Sequence, residues 1–152
     1  FFINSNGVGI SNYHVFENTY QGEEKIYLQD QKTYQIKKVL RKSKKNDYII
    51  FQVDIPTSTH YLEIANTTPS IGQNVFTIGN PRGLKQTLSK GIVSGYREDN
   101  KLIQTTTEIT HGSSGGPLIN MKGKVVGITT SGVGEANLNF AVNIHLLDIN
   151  MN

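Results

Sequence analysis

Apolar residues along this chain come in short alternating or continuous runs: Ile26–Leu28, Tyr34–Leu40, Tyr48–Val53, Tyr61–Ile64 and Asn74–Ile78 in one half, then Gly91–Gly95, Lys101–Thr106, Pro117–Ile119, Val125–Thr130 and Asn139–Val142. Alternation at period two places one set of side chains on one face of extended backbone, so these runs predict β-strands. Turn chemistry separates them: Asn6-Gly7, Gln21-Gly22, Gly79-Asn-Pro-Arg-Gly83, Lys122-Gly123 and Ser131-Gly132. Many short strands punctuated by glycine turns predict an all-β sandwich or barrel. The one helical pattern is Ile144–Ile149, where Leu146, Leu147 and Ile149 can share a face. A soft boundary at Asn66-Thr-Thr-Pro-Ser70 divides two strand-rich halves, without internal repeats or a low-complexity linker.

Composition narrows the classes. A chain of 152 residues that is 36% hydrophobic and 18% charged can bury a core within one domain. With no cysteine, disulfides, thiolate metal sites and a cysteine nucleophile are excluded. No run approaches the ~20 apolar residues of a membrane-spanning helix. The chain opens on Phe1-Phe-Ile as if in mid-strand, with no signal peptide before it, and so reads as a fragment. Fifteen basic residues against 12 acidic ones give a net charge of +3, and much of the excess lies in Lys37–Lys45. That run could attract an anionic partner, but without interleaved aromatics it reads as a solvated strand and turn.

Candidate chemistry concentrates in His111-Gly-Ser-Ser-Gly-Gly-Pro-Leu-Ile-Asn120. A serine hydroxyl attacks only when a base takes its proton and donors hold the negative charge it creates. Gly112, two residues before Ser114, lets the backbone turn so that the amides of Gly112 and Ser114 can face one concavity. Gly115 and Gly116 remove side chains where a substrate must come close. By itself a Ser-Gly-Gly is a surface turn, so the reading depends on finding the partners.

Four histidines are candidate bases. His14 follows a strand-like segment in Gly9-Ile-Ser-Asn-Tyr-His-Val-Phe16, a setting that holds an imidazole in one tautomer. His60 and His145 fall in a loop and in the terminal helical pattern, and His111 stands so near Ser114 that it reads as a wall of the substrate site. Asp47 opens Asn46-Asp-Tyr-Ile-Ile-Phe-Gln-Val53, ahead of an apolar strand. A carboxylate there needs a donor, and a histidine Nδ1–H is a suitable one. The alternative for Asp47 is a turn cap after the basic run.

Ser11-Asn-Tyr-His-Val15, Asn46-Asp-Tyr-Ile-Ile-Phe51 and Gly112-Ser-Ser-Gly-Gly-Pro-Leu118 follow the chain order His, Asp, Ser of chymotrypsin-fold peptidases. With Gly79–Ser94, Val125–Thr130 and Asn139–Val142, the chain resembles the bacterial HtrA/Deg-like trypsin-like protease domain over nearly its whole length. The resemblance implies an all-β fold of two packed antiparallel six-stranded barrels, residues 1–68 and 69–152, the first incomplete at its N-terminus, with a short C-terminal helix. It implies a serine endopeptidase acting through an acyl-enzyme, with His14, Asp47 and Ser114 as the triad in the cleft between the barrels, and Gly112 and Ser114 amides as the oxyanion hole. Thr130 takes the place of a hydroxyl residue that supports the aspartate. Thr129, Ser131 and Gly132 border the peptide, whereas Glu108, Ile109, His111, Leu138 and Phe140 line its approach. Glu108 stands where a preference for basic side chains would place an aspartate, and small or medium aliphatic residues are the expected preference.

The resemblance further implies protein or peptide substrates, an extracytoplasmic setting, and homo-oligomers or additional domains. No metal or cofactor is expected, because no His/Asp/Glu cluster has ligand spacing, and no nucleic acid, because the basic clustering is weak. The chain departs from the family at His111 and Ser113, which stand where Pro-Gly-Asn-Ser is usual. Two other readings stay open at this point. One is a catalytically silent module that binds extended peptides; the other is a barrel that binds nucleic acid through Lys37–Lys45.

Overall fold

The computed structural model describes residues 1–19, 24–28, 32–79, 87–131 and 138–150. The chain forms two compact units, Phe1–Leu62 and Glu63–Asn152.

In the first unit, strands β1 (Val8–Ser11), β2 (Lys25–Tyr27), β3 (Thr33–Ser43) and β4 (Tyr48–Val53) form an antiparallel sheet in the order β1-β4-β3-β2. A four-residue helix α1 (Tyr13–Phe16) follows β1. The continuous apolar run of β4 makes it the central strand: Ile49, Phe51 and Val53 cluster with Phe2, Phe16, Ile26, Val39 and Ile55. Residues 1–3 pair with β1, since Ile10 N–H donates to the Phe1 carbonyl at 2.9 Å and Ile3 N–H to the Val8 carbonyl at 2.8 Å. That pairing satisfies backbone groups an edge strand would otherwise present. The basic run lies on β3 and the turn after it. Lys37, Lys38, Lys42, Lys44 and Lys45 are exposed, and Lys44 pairs with Glu17.

The second unit is a closed six-stranded antiparallel barrel: β5 (Asn74–Gly79), β6 (Thr87–Arg97), β7 (Leu102–Thr105), β8 (Pro117–Asn120), β9 (Val125–Thr130) and β10 (Asn139–Asn143), in the order β10-β7-β6-β5-β8-β9. Val75, Val93, Ile103, Leu118, Val126 and Ala141 point inward and fill it together with Ala65. A closed barrel in one unit and a half-barrel sheet in the other, with almost no helix among the described residues, match the chymotrypsin-like fold.

Some elements differ from the sequence expectation. Tyr61–Ile64 is not a strand: Ile64 makes one parallel bridge to Val125, while Tyr61 is exposed. The terminal helix shortens to a 3₁₀ turn over Ile144–Leu146, because Leu147 is already extended at φ −93°, ψ 145°. Helix α1 is too short to carry a helical period, and β1 is a strand that the runs above do not include. Among the described residues no helix is long and apolar enough to cross a membrane, and no cluster of His, Cys, Asp and Glu could hold a metal ion.

Candidate active site

In the first unit, α1 and the β3–β4 turn present His14 and Asp47 to each other. Asp47 Oδ2 lies 2.8 Å from His14 Nδ1, and Asp47 Oδ1 accepts the His14 backbone N–H at 3.0 Å. Asp47 sits in the left-handed region at φ 48°, which an aspartate tolerates better than most residues and which ends the turn closed by Lys44 and Asp47. Its main chain is fixed as well, because the fully buried Asn12 donates from Nδ2 to the Asp47 carbonyl at 3.1 Å.

An ionised carboxylate only accepts hydrogen bonds, so the proton between Asp47 and His14 resides on Nδ1. The neutral imidazole then carries its lone pair on Nε2. With 39% of the His14 side chain and 27% of the Asp47 side chain exposed, that nitrogen can meet a partner outside the unit's core. This is the chemistry of a base held in one tautomer.

In the second unit Ser114 lies on the loop between β7 and β8. Ser113 N–H donates to the Thr110 carbonyl at 2.9 Å, closing a turn whose third residue, Gly112, has φ 93°. A positive φ at that position alone is the type II pattern, which requires glycine. The end of β9 fastens the rest of the loop. Thr129 Oγ1 donates to the Ser113 carbonyl at 2.6 Å, Gly115 N–H donates to the Thr129 carbonyl at 2.9 Å, and Thr129 N–H donates to the Gly116 carbonyl at 2.8 Å. Ser113 is buried beneath the loop, while Gly112 is exposed. Neither the Gly112 nor the Ser114 amide is committed to a hydrogen bond among the described residues. Ser114 Oγ itself accepts the Ser131 backbone N–H at 2.9 Å and lies 2.5 Å from Ser131 Oγ.

The remaining candidates spread around this loop. Thr129 and Thr130 are buried in β9, and Thr130 is in register with the buried Phe140 of β10. Ile109 is buried, while Glu108, His111 and Leu138 are exposed. The Glu108 amide donates to Ser89 Oγ at 2.9 Å. Gly132 lies outside the described residues, as do parts of the turns at 79–83 and 131–135. One support is not among the residues the sequence singles out, Asn12, a polar residue two before His14, whereas the contact between Ser131 and Ser114 joins two residues that are. A buried asparagine leaves no trace in hydropathy, and the one signal for Asn12 is its nearness to the histidine.

Comparison with known proteins places these residues in context. Residues 1–128 match the trypsin-like peptidase domain family. The chain is 32% identical over 134 residues to the chloroplastic Protease Do-like 1 of Arabidopsis thaliana, spanning 80% of this chain and 30% of that protein. It is 32% identical over 133 residues to the periplasmic serine endoprotease DegP of Salmonella typhimurium, spanning 82% of this chain and 27% of that protein. The crystal structure of a serine endoprotease from Yersinia pestis superposes with a TM-score of 0.81 at 29% identity, covering 95% of this chain and 52% of that one. The chain thus spans less than a third of the length of the Arabidopsis and Salmonella relatives and about half of the Yersinia chain.

Proposed function

Because the chain belongs to the trypsin-like peptidase family, with the chymotrypsin fold and HtrA-like sequence, we propose that it is a serine endopeptidase in which Ser114 is the nucleophile, His14 the general base and Asp47 the group that orients it. The observation that carries this reading is the 2.8 Å contact of Asp47 Oδ2 with His14 Nδ1, which leaves Nε2 free to take a proton. Ser114 attacks a peptide carbonyl as His14 accepts its proton. The Gly112 and Ser114 amides, both uncommitted, stabilise the oxyanion. His14 then donates the proton to the leaving amine, and water, activated by the same imidazole, hydrolyses the acyl-enzyme.

The substrates are proteins or extended peptides whose backbone lies along Thr129, Thr130, Ser131 and Gly132. Glu108, Ile109, His111, Leu138 and Phe140 border the pocket for the residue before the scissile bond, with small or medium aliphatic side chains preferred. An extracytoplasmic setting is part of the same proposal, in line with the periplasmic relative.

The test is labelling with a fluorophosphonate, which reacts with an activated serine, followed by mapping of the modified residue. We expect the label on Ser114, and Ser114→Ala to lower casein cleavage by about 10⁴- to 10⁶-fold. A folded protein that stays unlabelled, or a Ser114→Ala variant that retains cleavage, overturns the assignment.

A further inference from the structure

The contact between Ser114 and Ser131 has consequences for when the nucleophile is free. A serine hydroxyl has one proton and two lone pairs. One lone pair of Ser114 Oγ is taken by the Ser131 amide at 2.9 Å, and the two hydroxyl oxygens are 2.5 Å apart. If the Ser131 hydroxyl donates, Ser114 Oγ accepts two hydrogen bonds that draw electron density from it. If Ser114 donates, the proton a base must take is committed to Ser131. Either arrangement slows the reaction of Ser114 relative to a hydroxyl free of Ser131. The Ser131 amide is also the first beyond the end of β9 (Val125–Thr130), where an extended backbone adding to that strand end would seek its donor.

We propose that Ser131 is a positioning residue that holds Ser114 in a resting rotamer, and that a substrate backbone releases the nucleophile by taking over the Ser131 amide. The proposal rests on Ser114 being the nucleophile of a serine peptidase. It makes substrate binding and nucleophile activation one event. A small reagent that does not pair with the strand must open the latch unaided, whereas an extended peptide opens it as it binds.

The experiment compares wild type, Ser131→Ala and Ser131→Thr in the full chain, each shown to be folded by circular dichroism. Two rates are read. One is the second-order rate of fluorophosphonate labelling, in which Ser114 Oγ bonds to phosphorus, fluoride leaves and the hydroxyl proton passes to the base. The other is kcat/KM on an extended peptide. Losing one neutral hydrogen bond from the resting state is expected to speed labelling of Ser131→Ala about fivefold. Ser131→Thr, which keeps the hydroxyl, should label more slowly than Ser131→Ala, and in Ser131→Ala the labelling rate should rise by more than kcat/KM on the peptide. Labelling of Ser131→Ala at or below the wild-type rate, or equal acceleration in both variants, overturns the latch while leaving Ser114 as nucleophile. No label on Ser114 in any of the three folded proteins removes the nucleophile itself, and the latch with it.

Discussion

Asp47 holds His14 at two points: Oδ2 on the ring nitrogen Nδ1 at 2.8 Å and Oδ1 on the backbone amide at 3.0 Å. Both contacts require an acceptor, so both oxygens of the carboxylate are used. In Asp47→Asn one of the two positions must present an NH₂ to an N–H, or the ring must change tautomer so that Nδ1 becomes the acceptor. The second outcome moves the proton to Nε2, where it blocks the base. We expect kcat to fall by about 10⁴-fold with KM little changed, the loss seen when the orienting carboxylate of a like triad is amidated. The thermal midpoint should move only slightly, because the group is partly exposed. Measured turnover within about tenfold of wild type would remove Asp47 from the orienting role.

Asn12 supports the same turn from below. It is fully buried, and its Nδ2 donates to the Asp47 carbonyl at 3.1 Å. Asn12→Ala deletes the donor and strands that carbonyl, at a cost of about 1–3 kcal/mol. Asn12→Asp should be worse at neutral pH, since an ionised carboxylate faces another acceptor in a buried place. Acid should narrow that second deficit, because the protonated carboxyl regains a donor. Urea unfolding of both variants at pH 7 and pH 4 checks the order, and equal stability of the two variants at pH 7 would contradict it.

The reach of the sequence can be judged from these same residues. The candidates His14, Asp47 and Ser114 stand out in the sequence because each sits in a short local context, a strand end or a glycine-rich turn, that restricts what the side chain can do. The barrel strands are legible because period-two alternation survives in β5 and β7, where one face is core, and because β9, buried throughout, reads as a continuous run. Helix α1 is not, since four residues cannot establish a helical period. Tyr61–Ile64 misleads because an apolar cluster satisfies the strand pattern whether or not a continuous ladder pairs with it, and here the stretch makes a single bridge, Ile64 to Val125, and one bond from Leu62 N–H to the Phe2 carbonyl. The hold of Ser131 on Ser114 depends on how β9 meets a loop 17 residues away in sequence, which no local pattern encodes.

Tyr96 gives the barrel a pH dependence that does not involve His14, Asp47 or Ser114. Its hydroxyl donates to the Pro69 carbonyl, and burial raises its pKa above the ordinary value of 10.0. The folded state therefore keeps its proton at a pH where the unfolded chain has begun to lose it. Stability from this group is fully present below about pH 10 and declines as pH rises through the raised value. Urea midpoints measured from pH 9 to pH 11 should fall more steeply for wild type than for Tyr96→Phe, which cannot ionise. Parallel slopes for the two proteins would contradict the assignment.

Gly91 links barrel packing to the loop that carries Ser114. A Cβ at this position would lie 2.4 Å from the Thr107 amide nitrogen and 2.6 Å from Thr106 Oγ1. The first neighbour is backbone and cannot rotate away, so the strand or the loop must move. What moves is the start of the segment that leads to Ser114. There Thr106 N–H donates to the Ile92 carbonyl at 3.0 Å, Ile92 N–H donates to Thr106 Oγ1 at 2.9 Å, and Thr107 N–H donates to Thr105 Oγ1 at 3.1 Å. Overpacking of this kind costs about 1–3 kcal/mol. Gly91→Ala should therefore lower the urea midpoint by a corresponding amount. It should also slow fluorophosphonate labelling of Ser114 under conditions where the variant is still fully folded, because the loop is displaced at its root. Loss of stability with an unchanged labelling rate would contradict this coupling. It would show that the turn closed by Thr110 and Ser113 holds the nucleophile independently of Thr106 and Thr107.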